Sequence, residues 1–208
     1  MKKGIIFDLD GTLWDTSAQI IPAWNTVLSK HNQRHITDDE MAGYMGKTPE
    51  NIAKLMLPDL PFDKAMAILN ECCQAEQFYL RQHGGTLYPN LEVTLQKLKE
   101  KYRLYFVSNC HSEYLNSFFI AHKLKEYFED YETHGNTGLS KAENIKLIIK
   151  RNHLDKAVYV GDTQLDKLST ETAQIPFIYA SYGFGEVDNA EHEINQISNL
   201  PNIIENII

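Results

Sequence analysis

GIIFDLDGTLWD, residues 4–15, holds the first strand-like run of the chain. Gly4 to Phe7 make an apolar, β-prone run that ends on two carboxylates one residue apart, Asp8 and Asp10. Such a run heads into a core, where a carboxylate is costly unless a cation, a lysine or a proton meets it. The chain is expected to turn immediately after Asp8, and Gly11, with no Cβ, permits that turn. The rest of the sequence has to supply the positive partner.

The bulk properties limit what that partner serves. A chain of 208 residues with 43% hydrophobic content can bury one good core with a smaller module attached. Twenty Lys and Arg against 28 Asp and Glu leave a net charge of −8. No basic cluster or stripe tracks a phosphate backbone, so nucleic acid is not expected as a partner. The apolar run in MKKGIIF is too short for a signal h-region or a spanning helix. A cytoplasmic location without a membrane partner is expected. Cys72, Cys73 and Cys110 form neither an even disulfide framework nor a CxxC pair, which favours reduced, mostly buried thiols.

Outward from residues 4–8, further strand-like runs fall at 102–109, 156–162 and 175–181. Between them, Leu91, Leu95 and Leu98 share one helical face, as do Ile145, Ile148 and Ile149. Strands alternating with helices predict an α/β class with a parallel, Rossmann-like sheet. Residues 16–85 carry helical periodicity and no convincing strand, and they read as an inserted helical module. The expected organisation is a core of residues 1–15 and 86–208 with residues 16–85 inserted. Gly84, Gly85 and Pro89 mark the return as a hinge or linker. DYETHGNTG, residues 130–138, reads as a minor strand and loop.

In open parallel sheets ligands bind at the carboxyl ends of the strands, so the strand-ending residues are informative. They are Asp8 and Asp10, then Ser108 and Asn109, then Asp162 with Asp166, while Lys141 opens a helix just before the third of these strands. Four carboxylates, one lysine and two small hydrogen-bonding side chains suit a hard cation together with a phosphoryl group.

DLDGTL, VSN, Lys141 and GDTxxD occur in the order seen in the haloacid dehalogenase superfamily, which the chain resembles over nearly its whole length. Residues 16–85 are similar to the helical cap of the subgroup containing phosphoglycolate-phosphatase-like and β-phosphoglucomutase-like enzymes. The resemblance implies Asp8 as nucleophile and Asp10 as general acid and base. It implies Mg²⁺ held by the Asp8 side chain, the Asp10 carbonyl and Asp162, with Asp166 acting directly or through a water. Ser108 and Asn109 would donate to phosphoryl oxygens, and Lys141 would neutralise charge on Asp8 and the transferring group. Relatives often carry a proline beside this lysine, where this chain reads LSKAEN.

Thr12 either contacts phosphate or bonds to the local turn. Lys47, in the cap loop YMGKTPEN, either meets a second anionic or hydroxyl group of the substrate or is a solvated lysine. His111 reads as a loop or helix-start residue, with contact to substrate as the alternative. The reading is a Mg²⁺-dependent phosphatase of a small phosphorylated metabolite such as a sugar phosphate, phosphoglycolate or nucleotide. The rivals are a phosphosugar mutase, against which Gly161 counts where such relatives carry an acid, and an inactive phosphometabolite-binding module.

Overall fold

The computed structural model describes residues 1–208. In chain order the first half comprises β1 (Lys3–Phe7), β2 (Trp14–Asp15), α1 (Ser17–Lys30), α2 (Asp38–Tyr44), α3 (Pro49–Met56), α4 (Phe62–His83), β3 (Thr86–Leu87) and α5 (Leu91–Lys99). The second half comprises β4 (Arg103–Ser108), α6 (Ser112–His122), β5 (Asp130–Thr133), α7 (His134–Thr137), α8 (Lys141–Arg151), β6 (Lys156–Gly161), α9 (Gln164–Ala173), β7 (Phe177–Ala180), β8 (Glu193–Ile194) and α10 (Leu200–Ile204).

Six strands form one parallel sheet in the order β5-β4-β1-β6-β7-β8. From β1 the chain winds outward to β4 and β5, then crosses back to β6 and continues to β7 and β8. The winding therefore reverses beside β1, and the carboxyl ends of β1 and β6 flank the crevice where such sheets bind ligands. Asp8 follows β1 and Asp162 follows β6.

The strand residues alternate between two buried layers, as a sheet covered on both faces requires. Ile5, Phe7, Leu104, Phe106, Val158 and Val160 join the larger core, while Ile6, Tyr105, Val107, Ala157 and Tyr159 join the smaller one beneath Ile145 and Ile148. The strands expected from the sequence are present with ends trimmed by one or two residues. The segment expected as a minor strand is β5, an edge of the main sheet, and the loop expected after it forms the short helix α7. The two-residue strands β2, β3 and β8 were not anticipated, because two residues show no periodicity.

Helices α1–α4 all lie between β2 and β3. Helix α1 buries Ile20, Trp24, Val27 and Leu28, and α4 buries Ala65, Ile68, Leu69, Cys72, Cys73, Glu76 and Leu80, a stripe at helical spacing carrying one acidic residue. The passage in and the passage out pair as an antiparallel ribbon, Trp14 with Leu87 and Asp15 with Thr86. At its edge Gly84 has φ +70°, and a Cβ there would stand 2.9 Å from the His122 ring. Only glycine fits both conditions.

Candidate active site

Asp8 leaves β1 at the centre of the sheet and is almost fully buried. Its Oδ2 forms an ion pair with Lys141 Nζ at 3.1 Å, neither oxygen has a hydrogen-bond partner, and Oδ1 has no ion pair either. Lys141 is the first residue of α8, where the helix dipole opposes a cation, so its placement depends on carboxylates. It donates to Asp166 Oδ1 at 2.6 Å. Asp166 Oδ2 in turn accepts from Asp162 N at 3.2 Å, Thr163 N at 3.0 Å and Thr163 Oγ1 at 2.7 Å, a capping box that starts α9. Asp162 Oδ2 accepts from Phe184 N at 2.8 Å, and its Oδ1 has no partner.

One carboxylate oxygen from each of Asp8, Asp162 and Asp166 lies within 4.8 Å of the others. Asp8 Oδ1 and Asp162 Oδ1, buried with neither hydrogen bond nor ion pair, on a cluster of hard donors fit a divalent cation such as Mg²⁺. Burial raises the Asp8 carboxyl to about 6 although Lys141 opposes it, and burial with the neighbouring Asp166 and Asp8 holds Asp162 well above the carboxylate range. Burial alone would lower Lys141, but Asp166 and Asp8 outweigh it and hold the ammonium above its ordinary value. Gly11 closes the site from the other side. It has φ +73°, and a Cβ would overlap the Asp162 carboxylate.

Asp10 faces away from this cluster. Tyr114 Oη donates to its Oδ1 at 2.6 Å and Trp14 Nε1 donates to the same oxygen at 2.9 Å. Tyr114 Oη also lies 2.8 Å from Thr16 Oγ1. With Oδ1 taken twice, Oδ2 is the oxygen left to exchange a proton. Burial raises the Asp10 carboxyl to about 7, and the Tyr114 hydrogen bond holds it back from rising further. A carboxyl poised there suits both halves of acid and base work.

Asp10 also lines the cavity between the inserted helices and the sheet, together with Ser108, Asn109, His111 and Lys47. Asn109 reaches across, donating from Nδ2 to Gly46 O at 2.8 Å. That bond fixes the loop carrying Lys47 over the strand ends. His111 is the residue preceding α6. Thr12 is buried with an unpaired Oγ1 and does not line this cavity. The three cysteines are free, Cys72 and Cys73 buried and Cys110 partly so.

Tyr114, Trp14 and Glu76 were not singled out from the sequence. Tyr114 lies 104 residues from its partner Asp10, and no spacing signals such a contact. Trp14 was legible in principle, since it stands four residues after Asp10 within the quoted motif.

The family profile of haloacid dehalogenase-like hydrolases matches residues 5–180. Phosphoglycolate phosphatase of Rhodobacter capsulatus is 26% identical over 99% of this chain and 98% of its own. The plasmid-borne phosphoglycolate phosphatase of Cupriavidus necator is 25% identical over 86% of this chain and 81% of its own. In fold, a haloacid dehalogenase-like family hydrolase of Streptococcus pneumoniae superposes with a TM-score of 0.86 at 19% identity, covering 98% of each chain. The chain belongs to the haloacid dehalogenase-like hydrolase family and is an enzyme, a hydrolase.

Proposed function

We propose that the chain is a Mg²⁺-dependent phosphatase that hydrolyses a small phosphomonoester through an aspartyl-phosphate on Asp8. The observation that carries this reading is the division of roles between buried Asp8 and partly buried Asp10. Asp8 Oδ1 is unpaired and flanked by Lys141, while Asp10 is turned away and held through one oxygen by Tyr114 and Trp14.

In the first half-reaction an Asp8 oxygen attacks phosphorus and the phosphorus–oxygen bond to the leaving alcohol breaks. Asp10 gives its proton to the leaving oxygen. In the second half, Asp10 takes a proton from water as that water attacks the same phosphorus, freeing inorganic phosphate and the Asp8 carboxylate. Lys141 offsets charge on Asp8 and the phosphoryl group, and Ser108 and Asn109 line the strand-end cavity where phosphoryl oxygens would be met. Asp8, the Asp10 carbonyl and Asp162, with Asp166 directly or through a water, would hold Mg²⁺, whose charge would keep this cluster ionised.

Asp166 also seats Lys141, so its loss would displace the lysine. Residues 16–85 serve as the cap over the site, with Lys47 offering its ammonium to the bound phosphomonoester. Thr12 Oγ1 is buried with no hydrogen bond to the turn, which leaves it open to a phosphoryl oxygen. Phosphoglycolate, taken from the names of the relatives, is the first compound to assay as a cytoplasmic metabolite. The mutase alternative is disfavoured at Gly161, because a Cβ there would come within 2.7 Å of the Asp166 carboxyl and leave no room for an acid.

The test is phosphate release with and without EDTA, followed by mass spectrometry of the Asp8 peptide after rapid quench. Metal-dependent release and phosphate on Asp8 are expected. Full turnover in excess chelator, or phosphate on another residue, removes the assignment.

A further inference from the structure

The cavity above Asp10 is chemically two-sided. Its floor is polar: Asp10, Ser108, Asn109, His111 and the Tyr114 hydroxyl. Its roof is drawn from the inserted helices and is apolar, with Ile20 and Trp24 from α1, Met41 and Tyr44 from α2, Ile52 from α3 and Leu69 from α4. One side chain breaks that roof. Glu76, 5% exposed, lines the cavity from α4, and its Oε2 accepts from Trp24 Nε1.

A glutamate on the buried stripe of a helix is costly without a partner that uses it. Trp24 Nε1 uses one oxygen and the Cys73 thiol of the same helix also bonds to the carboxyl, yet both are neutral donors and the proposed phosphatase chemistry uses neither oxygen. The nearest cation in the cavity wall is Lys47, and it belongs to the other end, because its neighbour Gly46 is bonded to Asn109 at the strand ends. A second anion in the roof would therefore lie among apolar side chains with no counter-charge, an arrangement strongly disfavoured in low dielectric. An apolar body with one hydrogen-bonding group fits both the lining and Glu76.

We propose that the roof is the leaving-group chamber and that it selects phosphomonoesters of an uncharged, largely apolar alcohol whose distal hydroxyl or similar neutral group hydrogen-bonds to Glu76. This rests on the phosphatase reading and adds the substrate class. Glu76 is a specificity residue that touches the leaving group, remote from the phosphoryl transfer itself. Burial raises its carboxyl to about 8, with the Trp24 bond opposing, so near neutral pH it carries a proton and can donate to a neutral oxygen as well as accept from one.

The test compares four substrates by phosphate release with Mg²⁺ present: 2-phosphoglycolate, benzyl phosphate, 3-(hydroxymethyl)benzyl phosphate and 3-(aminomethyl)benzyl phosphate. The wild-type chain is expected to use benzyl phosphate with a kcat/KM at least about tenfold above that for 2-phosphoglycolate, and to favour the hydroxymethyl compound over benzyl phosphate by roughly tenfold more, the scale of one buried hydrogen bond. In Glu76→Ala the hydroxymethyl preference should fall to about unity, whereas Glu76→Gln, of the same shape and also able to accept from Trp24, should keep most of it. Thermal melts of both variants establish that they are folded, and Glu76→Gln alone decides the matter if Glu76→Ala is not. Equal or better use of 2-phosphoglycolate, a preference for the aminomethyl compound, or a hydroxymethyl preference lost in Glu76→Gln would each overturn the chamber assignment while leaving the phosphatase standing. Release from none of the four sinks both.

Discussion

Burial raises the carboxyl of Asp10, the proposed proton carrier, and its hydrogen-bonding neighbours hold it back. Asp10 Oδ1 accepts from Tyr114 and Trp14, so removing the tyrosine hydroxyl leaves that oxygen to Trp14 alone and takes away the stronger of the two bonds that hold the carboxyl's pKa down. Tyr114→Phe should slow turnover of an alkyl phosphate by about tenfold and that of a nitrophenyl phosphate much less, because the aryl group departs with little protonation. A steady-state leaving-group series measures this, and equal losses on both substrates would make Tyr114 a packing residue only. The complementary substitutions separate the two aspartates. Asp10→Ala given an activated aryl phosphate should release a burst of phenol and then stall with phosphate on Asp8, while Asp8→Asn should show neither. The residues in this contrast were not equally legible. Asp8, Asp10, Lys141 and Asp162 stand out because a strand that ends on a carboxylate, or a lysine at a helix start, is locally anomalous. Tyr114 and Glu76 look like ordinary members of amphipathic helices, and only the three-dimensional packing brings them to the cavity.

Among the elements, α4 is the one whose sequence and environment disagree. Its buried stripe predicts an apolar residue at position 76, and the chain places a glutamate there. The carboxyl sits at about 8 in the folded chain against about 4.3 when unfolded. Below the unfolded value both states hold the proton. Between the two values only the folded state does, so the stability contributed at this position is full at low pH and is lost as pH rises through the folded value. Glu76→Gln removes the titration. Its melting temperature should therefore gain on the wild type steadily from pH 5 to pH 8.5, and calorimetry at matched ionic strength checks it. A constant difference across that range would show that the carboxyl does not titrate as described. The helices and long strands were readable because their periods are sampled several times over, whereas β2, β3 and β8, two residues each, take their pairing entirely from tertiary context. The ribbon β2–β3 nevertheless fixes where the inserted helices attach. Gly84→Ala, which forces a Cβ into left-handed backbone against His122, should cost about 1–3 kcal/mol, read as a fall in the denaturant midpoint.

At the scale of the whole molecule, the sheet order converts a sequence-distant set into one charge cluster. β1 lies between β4 and β6, so Asp8, Ser108 and Asp162 end adjacent strands, and α8 and α9 bring Lys141 and Asp166 in from the flank. The cluster is unbalanced: burial and mutual repulsion raise Asp8 and Asp162, and Lys141 is the single buried ammonium facing them. A divalent cation bound in the folded state alone should therefore stabilise the entire chain. At a hundred times its Kd the added stability is about 2.7 kcal/mol, which in a domain of this size corresponds to a rise in Tm of roughly 5–10 °C. The rise should be much smaller in Asp162→Asn, which loses one of the two ligands carrying an unpaired buried oxygen, and full in Lys47→Ala, whose side chain lies in the cap loop away from the cluster. Calorimetry with Mg²⁺ titrated against a chelator-treated sample reads this without any assay of turnover. An Asp162→Asn chain that gained as much from Mg²⁺ as the wild type would remove Asp162 from the ligand set and leave the cluster's charge to be met by Lys141 alone.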